Sequence, residues 1–180
     1  MIVIISGQPG TGKSTIAKLL AKKLKYDHKS SGDFQREIAK EKKITIKELA
    51  KLEEKDSALD KMVDDRQKEF GEKYDNFVMD TWLGAKFIPH AFKVFLSADE
   101  DTRAKRIFND KENKQRRESE NLDDFEKTKQ NMNERDESNK QRWKKYYGFD
   151  YTERKYYDLV IDTSFMDVNE IVEVILKNIT

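Results

Sequence analysis

The sequence contains no cysteine, which excludes disulfides and thiolate metal sites, and only His28 and His90 are available as imidazoles. No apolar run approaches the roughly 20 residues of a membrane span, and no signal-peptide pattern is present, so a cytoplasmic protein with no membrane partner is the expectation. An excess of charge of one sign is missing too. Lys and Arg number 36 against 35 Asp and Glu, a net charge of +1, so no global field draws the chain toward nucleic acid or anionic lipid. Any site for a polyanion has to be local. Linkers, internal repeats and low-complexity tracts are also lacking, and 180 residues suffice for one core but hardly for two, so residues 1–180 are expected to form a single, monomeric domain. Hydrophobic residues make up 36% and charged residues 39%, but the apolar positions are periodic, which places the surplus charge on solvated helix surface rather than in a disordered chain.

What the chain does have is concentrated at its start, MIVIISGQPGTGKST. Ile2 to Ile5 form a continuous β-branched run suited to a strand buried on both faces of a parallel sheet. Gly7, Gly10 and Gly12 then supply a tight loop that Pro9 stiffens, so that successive N–H groups can surround an anion. The spacing satisfies G-x-x-x-x-G-K-[ST], with a strand before it and helical periodicity after it, which is the context that motif requires. Gly7, Gln8, Pro9, Gly10, Thr11, Gly12, Lys13, Ser14 and Thr15 are therefore read as a phosphate-binding loop. Lys13 would lie along the β and γ phosphates, Ser14 would ligate Mg²⁺, and the following helix would present its positive end.

Beyond the loop, Ile16, Leu19, Leu20 and Leu24 give a helix one apolar stripe. A short extended piece near Lys29 to Ser31 leads to Asp33 and Arg36, which are placed either as a helix cap and its partner or as ligand-binding groups at the carboxyl edge of a sheet. Thr45 to Glu48 has the form of a capping box, opening a helical stretch to about Glu69 with a joint near Asp56 and Ser57. Asn76 to Asp80 reads as a strand ending in a carboxylate, the position from which an acid holds Mg²⁺ beside a phosphate loop, and Ser14 and Asp80 are the expected metal ligands. Ala91 to Ser97 is the next strand, with Lys93 implying an edge or a partly exposed place. Arg103 and Arg106 share a helix face after it. Residues 109–121 lack any apolar residue and read as a mobile lid carrying Arg116 and Arg117. A long helix to Tyr147 then places Arg135 and Arg142 on one face, Gly148 stops it, Asp158 to Thr163 is a last strand, and Val168 to Ile175 begins a closing helix. Five strands alternating with helices imply a three-layer α/β fold, a parallel sheet covered on both sides.

The segments GQPGTGKST, SSGDFQRE, NFVMD, AFKVFLSADEDTRAKRIF, RDESNKQRWKKYYGFD and YYDLVIDTS, in that order, closely resemble the cytidylate kinases of the short, archaeal-like type within the nucleoside monophosphate kinase superfamily. The resemblance runs nearly end to end. It implies a P-loop NTPase fold with strand order 2-3-1-4-5 and a lid, and transfer of the ATP γ-phosphoryl group to CMP or dCMP with Mg²⁺. It also implies that Asp33 and Arg36 bind the acceptor, within acceptor-binding helices spanning residues 32–70, and that Lys13, Arg106, Arg135 and Arg142 are catalytic. One position departs from the family pattern: Thr81 and Trp82 stand where Gly-Arg commonly follows the strand-end acid. Trp82 is open to two readings, stacking on the acceptor base or filling the wall beside Leu83.

A cytosine pocket should offer the base amine an acceptor, and Asp65, Arg66 and Gln67 are expected to face the cleft opposite Asp33 and Arg36, with Asp65 or Gln67 reading the base edge. The alternatives are a kinase of another nucleoside monophosphate, a shikimate kinase-like enzyme in which Asp33 orients or deprotonates an alcohol, and a non-enzymatic nucleotide switch. The switch is disfavoured because no Asn-Lys-x-Asp stretch is present to read guanine.

Overall fold

The computed structural model describes residues 1–53, 57–110 and 124–179. The lid expected over residues 109–121, with Arg116 and Arg117, lies outside them but for its first two residues, and so does Leu122.

Strand β1, Ile2–Gly7, is buried at every position, as its unbroken apolar run requires. It occupies the centre of a five-stranded sheet of order β2-β3-β1-β4-β5, with β2 at Asp27–Ser30, β3 at Phe77–Asp80, β4 at Phe92–Ser97 and β5 at Leu159–Asp162. All the pairings are parallel. Because side chains alternate along a strand, β1 feeds two cores. Val3 and Ile5 pack with Ile16 and Leu20 of α1 (Lys13–Leu24) and with Ile171 and Ile175 of the last helix, α8 (Val168–Ile179). Ile2 and Ile4 pack on the other face with Phe34 and Ile38 of α2 (Ser31–Glu41), Leu49 of α3 (Ile46–Glu53) and Val63 of α4 (Ser57–Lys73). Each such fully buried side chain contributes about 1.5–3 kcal/mol, so this strand anchors both layers. Helices lie on both faces, as expected.

Three local features add to or differ from the sequence reading. Strand β2 has only exposed or half-buried residues, DHKS, because it forms the sheet edge and pairs with β3 alone. Lys93 is partly exposed, one of the two places expected for it, but not at an edge, since β4 lies between β1 and β5; its ammonium reaches Pro89 O at 2.6 Å. A short helix, α5 (Gly84–Phe87), follows β3 and has too few residues to show periodicity. Helix α6 spans Glu100–Asn109 and α7 spans Phe125–Tyr147.

Helix α2 opens with a reciprocal capping box. Ser30 Oγ accepts from Asp33 N, while the Asp33 carboxylate accepts from Ser30 N at 2.8 Å. Ser30→Ala removes one half of this pair, and the expected loss is about 1 kcal/mol, or roughly 2–4 °C in Tm for a chain of this size. Thermal denaturation checks it, and an unchanged midpoint would mean that the Asp33 side chain alone holds the turn.

Candidate active site

Parallel pairing brings the carboxyl ends of β1, β2 and β3 to one edge, and a cleft of about 1070 Å³ opens there. That volume is at the top of the range for one small ligand, and its lining is grouped by element into two arms beside the loop after β1. Pro9 to Thr15 form the junction. One arm carries Lys18, Arg106, Asn109, Asp110 and the β5–α8 turn at Met166 and Asp167; the other carries Ser30 to Asp33 and Arg36, with Val63, Asp64 and Gln67 of α4.

At the junction, Gly12 caps α1 with a left-handed backbone and contributes no side-chain hydrogen bond, so the first N–H groups of the helix are left to an anion. Lys13 folds over the loop, its Nζ donating to Gly7 O at 2.7 Å and Gln8 O at 2.9 Å. Gly7 and Gln8 thus hold the lysine through their carbonyls, while Pro9 to Thr15 line the cleft itself. Thr11 is buried and closes the turn by donating to Gln8 O at 2.8 Å.

Ser14 Oγ donates to Asp80 Oδ2 at 2.5 Å, which brings the two expected metal ligands together. The strand register explains it: Asp80, the last residue of β3, pairs with Ile5 of β1 and with Ser30, the last residue of β2, which brings it beside the loop that follows β1. Its other oxygen lies 2.6 Å from Nε2 of His28, a contact that sequence reasoning missed because the register of a four-residue polar strand is not legible in DHKS. Among the described residues no group of three or more His, Cys, Asp or Glu side chains forms a cage. One hydroxyl and one carboxylate beside a phosphate loop are instead the donor set by which Mg²⁺ is held when phosphates and waters complete its shell, so the residues fit that ion.

Of the arginines on α6 and α7 that the sequence singled out, Arg106, Arg135 and Arg142 line the cleft and Arg103 does not. Arg106 is oriented by Thr163 at the end of β5, with NH1 2.9 Å from Oγ1 and NH2 2.6 Å from the carbonyl oxygen. Arg135 and Arg142 stand seven apart on α7, in phase with its buried residues Thr128, Met132, Asn139 and Trp143, which is why both face inward. Arg103 is buried behind the loop, its NH1 3.6 Å from Asp136 Oδ2. Asp136 also accepts from Gln8 Nε2 at 3.3 Å and from the Tyr151 hydroxyl, tying the loop to α7. Burial first, and then the Asp136 charge, push the Tyr151 hydroxyl well up, so it stays a donor.

On the acceptor arm, Arg36 NH2 donates to Asp33 Oδ1 at 2.6 Å. Burial raises the Asp33 carboxyl, but the hydrogen bonds from Arg36 and Ser30 outweigh it and hold the group below the usual carboxylate range. The expectation for α4 is corrected in part. Asp65 is exposed, and Arg66 reaches away to Glu41, with NH1 at 3.0 Å and NH2 at 2.7 Å from its two oxygens. Neither lines the cleft; Asp64 and Gln67 do. Helical phase accounts for Gln67, one turn after Val63, and for Asp65, which rotates off that stripe; Arg66, three residues after Val63 and seven after Leu59, stays near it and is drawn aside by Glu41. Asp64 was not legible from that phase. It is 5% exposed and accepts from the Tyr147 hydroxyl at 2.6 Å and Gln67 Nε2 at 3.2 Å, while Gln67 Oε1 accepts from Thr81 Oγ1 at 2.5 Å.

The model of a family described as cytidylate kinase-like matches residues 2–165 of the chain. A protein named cytidylate kinase from Archaeoglobus fulgidus is 35% identical over 98% of this chain and 93% of its own length. Another cytidylate kinase, from Methanocella arvoryzae, is 34% identical over 99% and 97%. Among solved structures, a shikimate kinase from Bacteroides thetaiotaomicron superposes with a TM-score of 0.70 at 16% identity, covering 99% of this chain and 98% of that one, a likeness of fold.

Proposed function

The chain belongs to the cytidylate kinase-like family and is a phosphotransferase of the nucleoside monophosphate kinase class, and we propose that it carries the γ-phosphoryl group of ATP to CMP or dCMP. The observation that carries this reading is that one cleft is lined by the phosphate loop, by Arg106 of α6 with Arg135 and Arg142 of α7, and by Asp33 and Arg36 of α2. An acceptor that is already a phosphate dianion needs no general base. Its oxygen attacks the γ-phosphorus, the bond from that phosphorus to the β–γ bridging oxygen breaks, and a nucleoside diphosphate leaves on each side. The demand on the protein is for cations that let two polyanions approach and that stabilise the charge of the transferring group. Lys13, Arg106, Arg135 and Arg142 are assigned that work. Bound through Ser14 and Asp80, Mg²⁺ would neutralise charge across the β and γ phosphates.

The shikimate kinase-like reading needs a base for an alcohol. Asp33 is ill suited to it, since Arg36 and Ser30 stabilise its ionised form and make it a weak acceptor of protons. Asp33 and Arg36 are instead assigned to binding the acceptor monophosphate.

The base edge is assigned to Asp64 rather than Asp65. A carboxylate has about four acceptor sites, so Asp64 can receive the cytosine amine while keeping Tyr147 and Gln67. Gln67 spends its own groups on Thr81 and Asp64 and so acts by holding that carboxylate. UMP presents a carbonyl where cytosine has its amine, and two acceptors would face each other. The expected outcome is a kcat/KM for CMP at least about 10-fold above that for UMP, and Asp64→Asn should erase most of the difference, since an amide can present either a donor or an acceptor. A turnover assay over CMP, dCMP, UMP, AMP and shikimate with both proteins tests the function and this residue together. Shikimate turnover would overturn the acceptor class, and a mutant with unchanged preference would remove Asp64 from the base.

A further inference from the structure

Trp82 lies two residues beyond Asp80, and its surroundings give it a role that neither earlier reading supplied. Its ring has a cation from each side of the cleft's chemistry. Lys13 Nζ lies 5.4 Å from the ring centroid and the Arg135 guanidinium carbon also lies 5.4 Å from it, although the two residues come from the loop and from α7. An indole face is the strongest cation-binding π surface among side chains, so the ring attracts both cations to one place and offsets part of their mutual repulsion. The ring is also fixed. Ser6 Oγ donates to the backbone carbonyls of Thr81 at 2.9 Å and Trp82 at 3.1 Å, and Trp143 packs against the indole at 5.1 Å between centroids. Its Nε1–H is buried with no hydrogen-bond partner among the described residues, so packing and the π face orient the ring, and the N–H does not.

Base stacking is the poorer account of this residue. The acceptor base is assigned to Asp64, whereas the groups around Trp82 are the phosphate-loop lysine and an arginine of the phosphoryl-transfer set. We propose that Trp82 is a positioning residue: its π face holds the Arg135 guanidinium beside Lys13, so that α7 steers a cation onto the transferring phosphoryl. The proposal rests on the kinase reading above and goes beyond it by naming what orients Arg135.

The test compares Trp82→Phe, which keeps a π face, with Trp82→Leu, which keeps apolar bulk without one. Both are assayed with ATP and the best acceptor that the wild type turns over, alone and combined with Arg135→Ala. Trp82→Leu should lower kcat about 10- to 100-fold with KM for either substrate within about threefold and acceptor preference unmoved, while Trp82→Phe should recover to within about fivefold of wild type. In the double variant the loss should equal that of Arg135→Ala alone, because the ring acts only through that arginine. Multiplicative losses, a shift confined to acceptor KM or preference, or a Phe variant as poor as Leu would each overturn the proposal. Using whichever acceptor the wild type prefers keeps the two ideas apart: failure on CMP counts against the function, and lack of coupling to Arg135 counts against Trp82. Matching thermal midpoints for Phe and Leu exclude a folding artefact.

Discussion

Lys13→Ala is expected to lower kcat/KM by about 10³-fold or more while leaving the folded chain intact. A thousandfold loss corresponds to about 4 kcal/mol of barrier, the order found when one charge is removed from a preorganised site that stabilises developing negative charge. The fold does not depend on the side chain. Lys13 opens α1, its ammonium rests on the carbonyls of Gly7 and Gln8, and the buried face of that helix is made by Ile16, Ala17, Leu20 and Ala21. Removing the ammonium therefore deprives the loop of a cation without opening a cavity in either core. The far-UV circular dichroism spectrum should match wild type, and Tm should change by no more than a few degrees. Activity within tenfold of wild type in a chain so folded would mean that the loop is not where the phosphoryl group is transferred. Lys13→Arg is not a control for charge alone, because a planar fork cannot replace a compact ammonium against the same loop carbonyls.

The loop and the central strand were legible in the sequence because both are local. Four consecutive β-branched residues can only be a doubly buried strand in a chain of this kind, and the glycine spacing speaks for the turn that follows. Asp80 was legible as well, from its place at the end of FVMD. What could not be read was anything that depends on register or on distant partners. The contact of His28 with Asp80 arises from a parallel pairing of Ser30 with Asp80 across two short strands. That Trp82 gathers Lys13 and Arg135 required α7 to return over the loop. Arg103 and Arg106 share a face, yet Arg106 enters the cleft while Arg103 is sequestered by Asp136 behind the loop, a choice set by Tyr151 and Gln8 from elsewhere in the chain. Asp64 lines the cleft where Asp65 was expected, and helical phase does not single it out, since it stands about 100° around α4 from Val63; its contacts with Tyr147 and Gln67 fix it there.

The glycines of the loop look interchangeable in the motif, but packing separates them. Gly10 has a left-handed backbone, φ 82°, and a Cβ added there would stand 2.5 Å from the carbonyl oxygen of Arg103 and 2.9 Å from its Cα. Those atoms belong to the backbone of α6, so no side chain can swing aside; either the loop or the helix must move. Gly12 has nearly the same backbone, φ 87°, but its nearest neighbour is Ile16 Cδ1 at 3.6 Å, an ordinary contact. Gly12→Ala therefore carries only the conformational cost of the left-handed region, about 1–2 kcal/mol. Gly10→Ala carries that cost and an overlap with fixed backbone as well, together about 3–5 kcal/mol, a large share of the stability of any domain. The same displacement should reach the chemistry, since α6 carries Arg106 and the loop carries Lys13, and a shift of about 1 Å in a positioned group costs roughly 10²-fold in rate. Urea denaturation of the two variants, with kcat/KM measured on the folded fraction, is the deciding experiment. Gly10→Ala should be less stable than Gly12→Ala by at least about 2 kcal/mol and should turn over at least tenfold more slowly; equal stabilities would mean that the loop is not braced against α6 as this geometry requires.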